Sequence, residues 1–179
     1  MKSLICFFLF FGLYPIDGEV ISWSAEKKLE WTDFKGAPQQ NTSAAAMVAS
    51  GITFSFSVKE SSDRGYVSFD TNVEAHFYPN KSWYIKERAN DYILAHEQLH
   101  FDLTELYVRK LRSQISKLKI SPNIKKELNA LHDKINIELA KEQYRYDDET
   151  NHSLIVEKQA EWSDFIKSEL SKYVDYASK

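Results

Sequence analysis

Ile52, Phe54, Phe56 and Val58 alternate with Thr53, Ser55, Ser57 and Lys59. A period of two places these apolar side chains on one side of an extended chain and predicts a half-buried strand. Ser61-Ser62-Asp63-Arg64-Gly65 supplies turn residues. The alternation then resumes, with Val67, Phe69, Val73, Ala75 and Phe77 on one face and Asp70, Asn72, Glu74 and His76 on the other. Two such runs joined by a turn predict an antiparallel hairpin. Upstream, Ile21 with Trp23 and Leu29 with Trp31 read as shorter strands. Asp33 to Pro38 reads as a turn, and Ala44 to Ser50 as the lead into the hairpin.

From about Asn90 the period changes. Asn90 or Asp91 can cap a helix whose apolar positions include Ile93, Leu94, Leu103, Leu106, Tyr107 and Leu111, running to about Lys117. Ser121-Pro122 is a start signal for a second helix reaching about Tyr144, with Ser as N-cap and Pro at the first helical position. Tyr146 to Ser153 is polar and reads as a loop, and a third helix spans about Leu154 to Tyr173. Strands at about 19–80 followed by helices at about 90–177 predict an α+β fold. A small antiparallel sheet in the N-terminal half packs on a three-helix C-terminal layer.

The first residues change the picture at one end. Lys2 is followed by an almost unbroken apolar run from Leu4 to Tyr14 and a break at Pro15 to Gly18. This predicts a signal peptide over residues 1–18, a single domain over 19–179, and a secreted or periplasmic location. The run is shorter than the roughly 20 residues a bilayer span needs, so no membrane span is expected in the mature chain. Cys6, the one cysteine, lies in that segment. Metal or nucleophilic chemistry in the mature chain therefore rests on nitrogen and oxygen. The net charge of -3 offers no global basic field for nucleic acid. The cluster Arg109, Lys110, Arg112, Lys117 and Lys119 reads as a solvated helix face, and Trp83, Tyr84 and Trp162 read as core.

Residues His96-Glu97-Gln98-Leu99-His100 form H-E-x-x-H on the first predicted helix. Histidines four apart share one face, one turn up, so both imidazoles can reach one ion. Glu97, rotated by about 100°, can reach a water activated by that ion without binding the ion itself. One zinc ion, Zn2+, suits neutral imidazoles and an open position. A third protein ligand is needed. The first helix continues about 17 residues past His100, or about 25 Å, before the second returns antiparallel. That return brings the segment Tyr146 to His152 back to the level of the histidine pair. His152 is the favoured third ligand, with His76, Glu149 and Glu157 as alternatives. His132 falls a turn or two short and, beside Asp133 and Lys134, reads as part of a solvated face. Asp102 faces away from the pair and is expected to hold a neighbouring element.

His96-Glu97-Gln98-Leu99-His100-Phe101-Asp102, then Tyr146-Asp147 with Thr150, His152, Gln159 and Trp162, resemble a bacterial family of predicted secreted zinc-dependent proteases catalogued chiefly as a domain of unknown function. Trp31-Thr32-Asp33-Phe34-Lys35-Gly36 followed by Ala44-Ala45 is similar to its N-terminal pattern. Leu99 stands where that family usually has Gly, and Ser153 where Gly often follows the third His. The resemblance implies a zincin-like fold, His96, His100 and His152 as zinc ligands, and Glu97 as general base.

Around that centre, Tyr146 can donate a hydrogen bond to the oxyanion of a tetrahedral intermediate or pack between the second and third helices. Asp147, Asp148 or Asp102 can accept the second ring N–H of a ligand histidine, and Thr150 can stabilise its loop through a local backbone bond. The strand Val73 to Phe77, if it lies at a sheet edge, can pair with an extended peptide. These features point to a secreted zinc metallopeptidase acting on peptide or protein. The rival is a zinc-binding envelope or interaction protein without catalysis.

Overall fold

The structure is a computed structural model that describes residues 18–63 and 65–178. The expected signal segment, apart from Gly18, lies outside the described residues. The chain is α+β. Five strands, β1 (Ile21–Ser22), β2 (Ala46–Met47), β3 (Ser50–Ser61), β4 (Gly65–Phe77) and β5 (Trp83–Tyr84), precede three helices, α1 (Asp91–Ile115), α2 (Ile124–Thr150) and α3 (Val156–Lys172). One antiparallel sheet has the order β1-β4-β3, and β2 pairs with β5 in a second, two-stranded sheet.

The expected hairpin is β3 and β4, with Phe54 opposite Val73 and Ile52 opposite Ala75. Gly65 closes the turn at a φ of 68°, where a β-carbon would be strained. Val73, Ala75 and Phe77 are buried and pack with Phe101, Leu103 and Leu106 of α1 in one core. β4 is the central strand of its sheet. Its Val73–Phe77 end is flanked by β3 and, through Phe77 and His76, by β1. The expectation of a free edge there is corrected, because Ile21 and Ser22 occupy it.

Leu29 and Trp31 do not form a strand. The Leu29 amide donates to Gln98 Oε1 at 2.8 Å, and Trp31–Asp33 closes into a 3-10 turn in which Asp33 Oδ2 accepts from the Glu30 amide at 2.8 Å. Side-chain acceptors take the bonds a strand partner would have taken. Gly36 lies so close to the chain at Ser82 that a β-carbon would stand 2.8 Å from the Ser82 carbonyl oxygen. That explains a glycine at the end of the Trp31–Gly36 motif.

A further correction concerns α2. It does not stop near Tyr144 but continues to Thr150, so the expected polar loop shrinks to Asn151–Ile155. Leu139, Gln143, Tyr146 and Thr150 are all buried at helical spacing, while Tyr144, Arg145, Asp148 and Glu149 form the exposed face. Polarity there marks a helix surface rather than a loop. At its start, Ser121 Oγ accepts from the Asn123 amide in a turn just before the first helical residue, Ile124.

α1 is enclosed by β3 and β4 on one side and by α2 and α3 on the other. His96, Glu97, Gln98, His100, Asp102, Thr104, Glu105 and Arg109 are consequently all buried. Buried polar groups require partners. Arg109 finds Glu105 at 2.8 Å, and Arg112 is half-buried against the Val73 carbonyl, so neither belongs to a solvated basic face. Asp102 faces away from the histidines, as expected. It accepts from Trp23 Nε1 at 2.7 Å and Gln98 Nε2 at 2.8 Å, tying the N-terminal segment to the back of α1. Trp83 and Trp162 are core residues. No described helix is long and apolar enough to cross a membrane.

Replacing Asp102 with Ala strands two buried donors. Urea unfolding should show a loss of about 3 kcal/mol, since an unsatisfied buried donor costs about 1–3 kcal/mol. A loss within error of zero would mean that Asp102 does not hold the N-terminal segment.

Candidate metal centre

Asn90 caps α1 by accepting the Ile93 amide at 2.9 Å, which sets the start and hence the phase of the helix. His96 and His100 then stand one turn apart, facing α2 and α3. Tyr146 of α2 supports both rings. It stacks on His96 at a centroid distance of 4.6 Å and meets His100 edge-on at 4.8 Å. Trp162 of α3 backs Tyr146 at 5.3 Å.

The orientation of each imidazole follows from a glutamine. Gln159 Nε2 donates to the Tyr92 carbonyl at 3.2 Å, and Gln143 Nε2 donates to the His100 carbonyl at 2.8 Å. Carbonyl oxygens only accept, so the amide nitrogens are fixed there and the Oε1 atoms face the rings. Gln159 Oε1 lies 3.2 Å from His96 Nδ1, and Gln143 Oε1 is hydrogen-bonded to His100 Nδ1. Each Nδ1 therefore carries the proton and each Nε2 is left with its lone pair.

Both lone pairs meet a third acceptor. The two Nε2 atoms are 3.2 Å apart, and Asp147 Oδ1 lies 3.2 Å from that of His96 and 2.9 Å from that of His100. His96, His100 and Asp147 form the one group of three or more His, Cys, Asp or Glu side chains among the described residues with ligand atoms close enough to share an ion. Ligand atoms held at about 2.1 Å around a tetrahedral ion stand about 3.3–3.5 Å apart, close to the spacing here. Three acceptors converging on one point favour a cation between them, and the group could hold a metal ion.

Without a metal the cation is a proton. Burial works to lower His100, but the Asp147 carboxylate and Glu97 outweigh it and raise its pKa to about 9. Burial pushes His96 down. Burial also works to raise Asp147, yet the facing histidines hold it well below the usual carboxylate range. Glu97 is buried beside them. Desolvation raises it to about 7, opposed by His100 and by the Val48 amide, which donates to Oε2 at 2.7 Å.

The structure thus gathers His96, Glu97, His100 and Tyr146 of the sequence-derived residues. Asp147, expected to orient a histidine from behind, lies on the lone-pair side instead. His152 stands outside the three-residue group, just past the end of α2, with Nδ1 3.7 Å from Asp147 Oδ1. The extension of α2 is the reason: it turns Asp147 inward and leaves His152 beyond the helix. His76 is engaged elsewhere, between Thr53 Oγ1 at 2.7 Å and Glu74 Oε2 at 2.8 Å. His132 is not on a solvated face but stacks on Phe54 at 4.9 Å. Glu149 accepts from Trp162 Nε1 at 2.9 Å, and Glu157 and Asp148 are exposed. Thr150 makes the expected local bond, donating to the Tyr146 carbonyl at 2.7 Å. Gln143 went unrecognised. Its signal was its place four residues before Asp147 and three before Tyr146 on a helical stripe.

Residues 24–153 match a family described as a bacterial protein of unknown function, DUF922. The chain belongs to this family. The DUF922 match contains His96, Glu97, His100, Tyr146, Asp147 and His152, and ends before Gln159 and Trp162. The family resemblance read from the two motifs thus agrees with the match, while the family's description names no reaction. No curated protein and no solved structure matches the chain.

A metal held by His96, His100 and Asp147 would displace the proton on His100. Apparent zinc affinity, measured by chelator competition, should therefore rise about tenfold per pH unit between about pH 7 and pH 9. The sign for stability follows from His100 together with Glu97. His100 is raised from 6.5 to about 9 and Glu97 from 4.5 to about 7, so each holds its proton more tightly in the folded state. Metal-free protein should lose stability as pH rises from about 5 to about 9, by thermal melts. A flat affinity profile would mean that no proton is displaced.

Proposed function

We propose that this DUF922 protein is an exported, zinc-dependent peptidase. The observation that carries the proposal is the convergence of His96 Nε2, His100 Nε2 and Asp147 Oδ1 on one point, with a buried glutamate beside them on the same helix. His96, His100 and Asp147 would hold the ion, and a two-His, one-carboxylate set with an open position suits catalytic zinc. When bound, zinc supplies Lewis acidity and lowers the pKa of water to about 7.

The remaining steps belong to the chain. Glu97 Oε2 is held by the Val48 amide. The other carboxylate oxygen is left to take a proton from the attacking water and pass it to the leaving amine. A pKa raised to about 7 suits a group that must accept and return a proton near neutrality. Tyr146 acts as a positioning residue. Its hydroxyl donates to the His96 carbonyl at 3.4 Å and its ring fixes both imidazoles. The substrate is a peptide in extended form. Among the described residues β2 pairs with β5 on one edge only, and the Val48 amide beside it points at Glu97. The other edge can therefore receive a strand by β-augmentation. Export rests on the N-terminal apolar segment, and N-terminal sequencing of protein recovered from outside the cytoplasm would test it.

The experiment compares wild type with Glu97→Gln after zinc loading, using a mixed peptide library read by mass spectrometry. Wild type should bind about one zinc per chain and cleave peptides. The variant should keep its zinc and lose about 100-fold or more in rate, the usual scale for a general base. Zinc binding without cleavage by wild type would favour the non-catalytic envelope protein. Purification with iron in the site would point instead to oxygen chemistry at a two-His, one-carboxylate centre.

A further inference from the structure

His152 lies beside the metal group without joining it. Asn151, His152 and Ser153 have φ values of 47°, 53° and 69°. Successive left-handed residues other than glycine cost roughly 1–2 kcal/mol each, so the surrounding bonds must hold them. They do. The His152 amide donates to the Asp147 carbonyl at 2.8 Å, and the Ile155 amide donates to the Thr150 carbonyl at 2.9 Å. The Ser153 amide reaches Thr150 Oγ1 at 3.5 Å, and that hydroxyl is fixed to the Tyr146 carbonyl.

This turn carries the imidazole back over the last turn of α2. Nδ1 comes within 3.7 Å of Asp147 Oδ1, beyond hydrogen-bond reach, and 55% of the side chain is exposed. The histidines of the metal group have side chains only 6% and 8% exposed. His152 therefore stands on the open side of the site. With Asp147 Oδ1 beyond hydrogen-bond reach, an N–H at Nδ1 is not committed to that carboxylate.

His96, His100 and Tyr146 offer no free side-chain donor. The Nδ1 protons of His96 and His100 are committed to Gln159 and Gln143, and the Tyr146 hydroxyl to a backbone carbonyl. Glu97 and Asp147 supply acceptors. A peptide carbonyl under attack develops negative charge on its oxygen and needs a donor. We infer that His152 is a substrate-facing catalytic residue, not a metal ligand: its Nδ1–H donates to the oxygen of the carbonyl being hydrolysed. This rests on the peptidase reading above and gives it a donor on the open side of the site.

The test uses the full zinc-loaded chain, wild type and His152→Ala, with His152→Gln to restore a donor and Asp147→Ala as a ligand control. The probe is the phosphonate analogue of a blocked dipeptide, which carries the tetrahedral oxyanion permanently. Its binding is measured by calorimetry, alongside zinc affinity and peptide kinetics. His152→Ala should keep zinc affinity within about 3-fold while Asp147→Ala loses more than about 10-fold. It should also lose about 100-fold in phosphonate affinity and in kcat, with KM nearly unchanged, and His152→Gln should recover part of both.

A matching loss of zinc in His152→Ala would make it a ligand and overturn the inference. Unchanged phosphonate affinity, or no phosphonate binding by zinc-loaded wild type, would overturn it as well. If wild type binds the phosphonate but cleaves nothing, the peptidase reading fails, and a His152→Ala loss in phosphonate affinity still supports the donor role.

Discussion

Two imidazoles one helical turn apart aim both lone pairs at one point only if each ring is held by its other nitrogen. Here Gln159 and Gln143 do the holding, and each glutamine is fixed in turn by a backbone carbonyl that can only accept. The carboxylate of Asp147 closes the triangle. An arrangement of three acceptors within about 3 Å is unfavourable without positive charge between them. The elevated pKa of His100, the depressed pKa of Asp147 and the capacity for a metal are three consequences of this geometry.

The fold is built around meeting that constraint. α1 carries unusually polar residues through the middle of the protein, and neighbouring elements supply a partner for each. α2 brings Gln143, Tyr146 and Asp147 on one stripe, α3 brings Gln159, and the segment after β2 brings the Val48 amide to Glu97. On the opposite face of α1, Gln98 and Asp102 fasten Leu29 and Trp23. One helix thus presents a reactive face to α2 and α3 and a fastening face to the N-terminal segment. The fragment His96–Asp102 contains both.

Much of this was legible in the sequence, because its signals are local. The histidine spacing, the period-two hairpin and the outward turn of Asp102 follow from helix and strand geometry alone. What was lost depended on distant partners. The run from Tyr146 to Ser153 looked like a loop because its exposed positions are polar, and the stripe through Gln143, Tyr146 and Thr150 shows only when the helix is continued. With the helix ended early, the inward turn of Asp147 toward His96 and His100 did not show. Leu29 and Trp31 had strand-like composition, but Gln98 and Asp33 satisfy that backbone instead. The β2–β5 pairing joins segments more than thirty residues apart and leaves no periodic trace.

The central claim is that His96, His100 and Asp147 share one metal ion. A crystal structure of the zinc-loaded protein, with anomalous data at the zinc edge, tests it directly. One peak is expected about 2.0–2.2 Å from His96 Nε2, His100 Nε2 and Asp147 Oδ1, with His152 beyond bonding distance. A peak coordinated by His152 in place of Asp147, or no peak at this site, would contradict it.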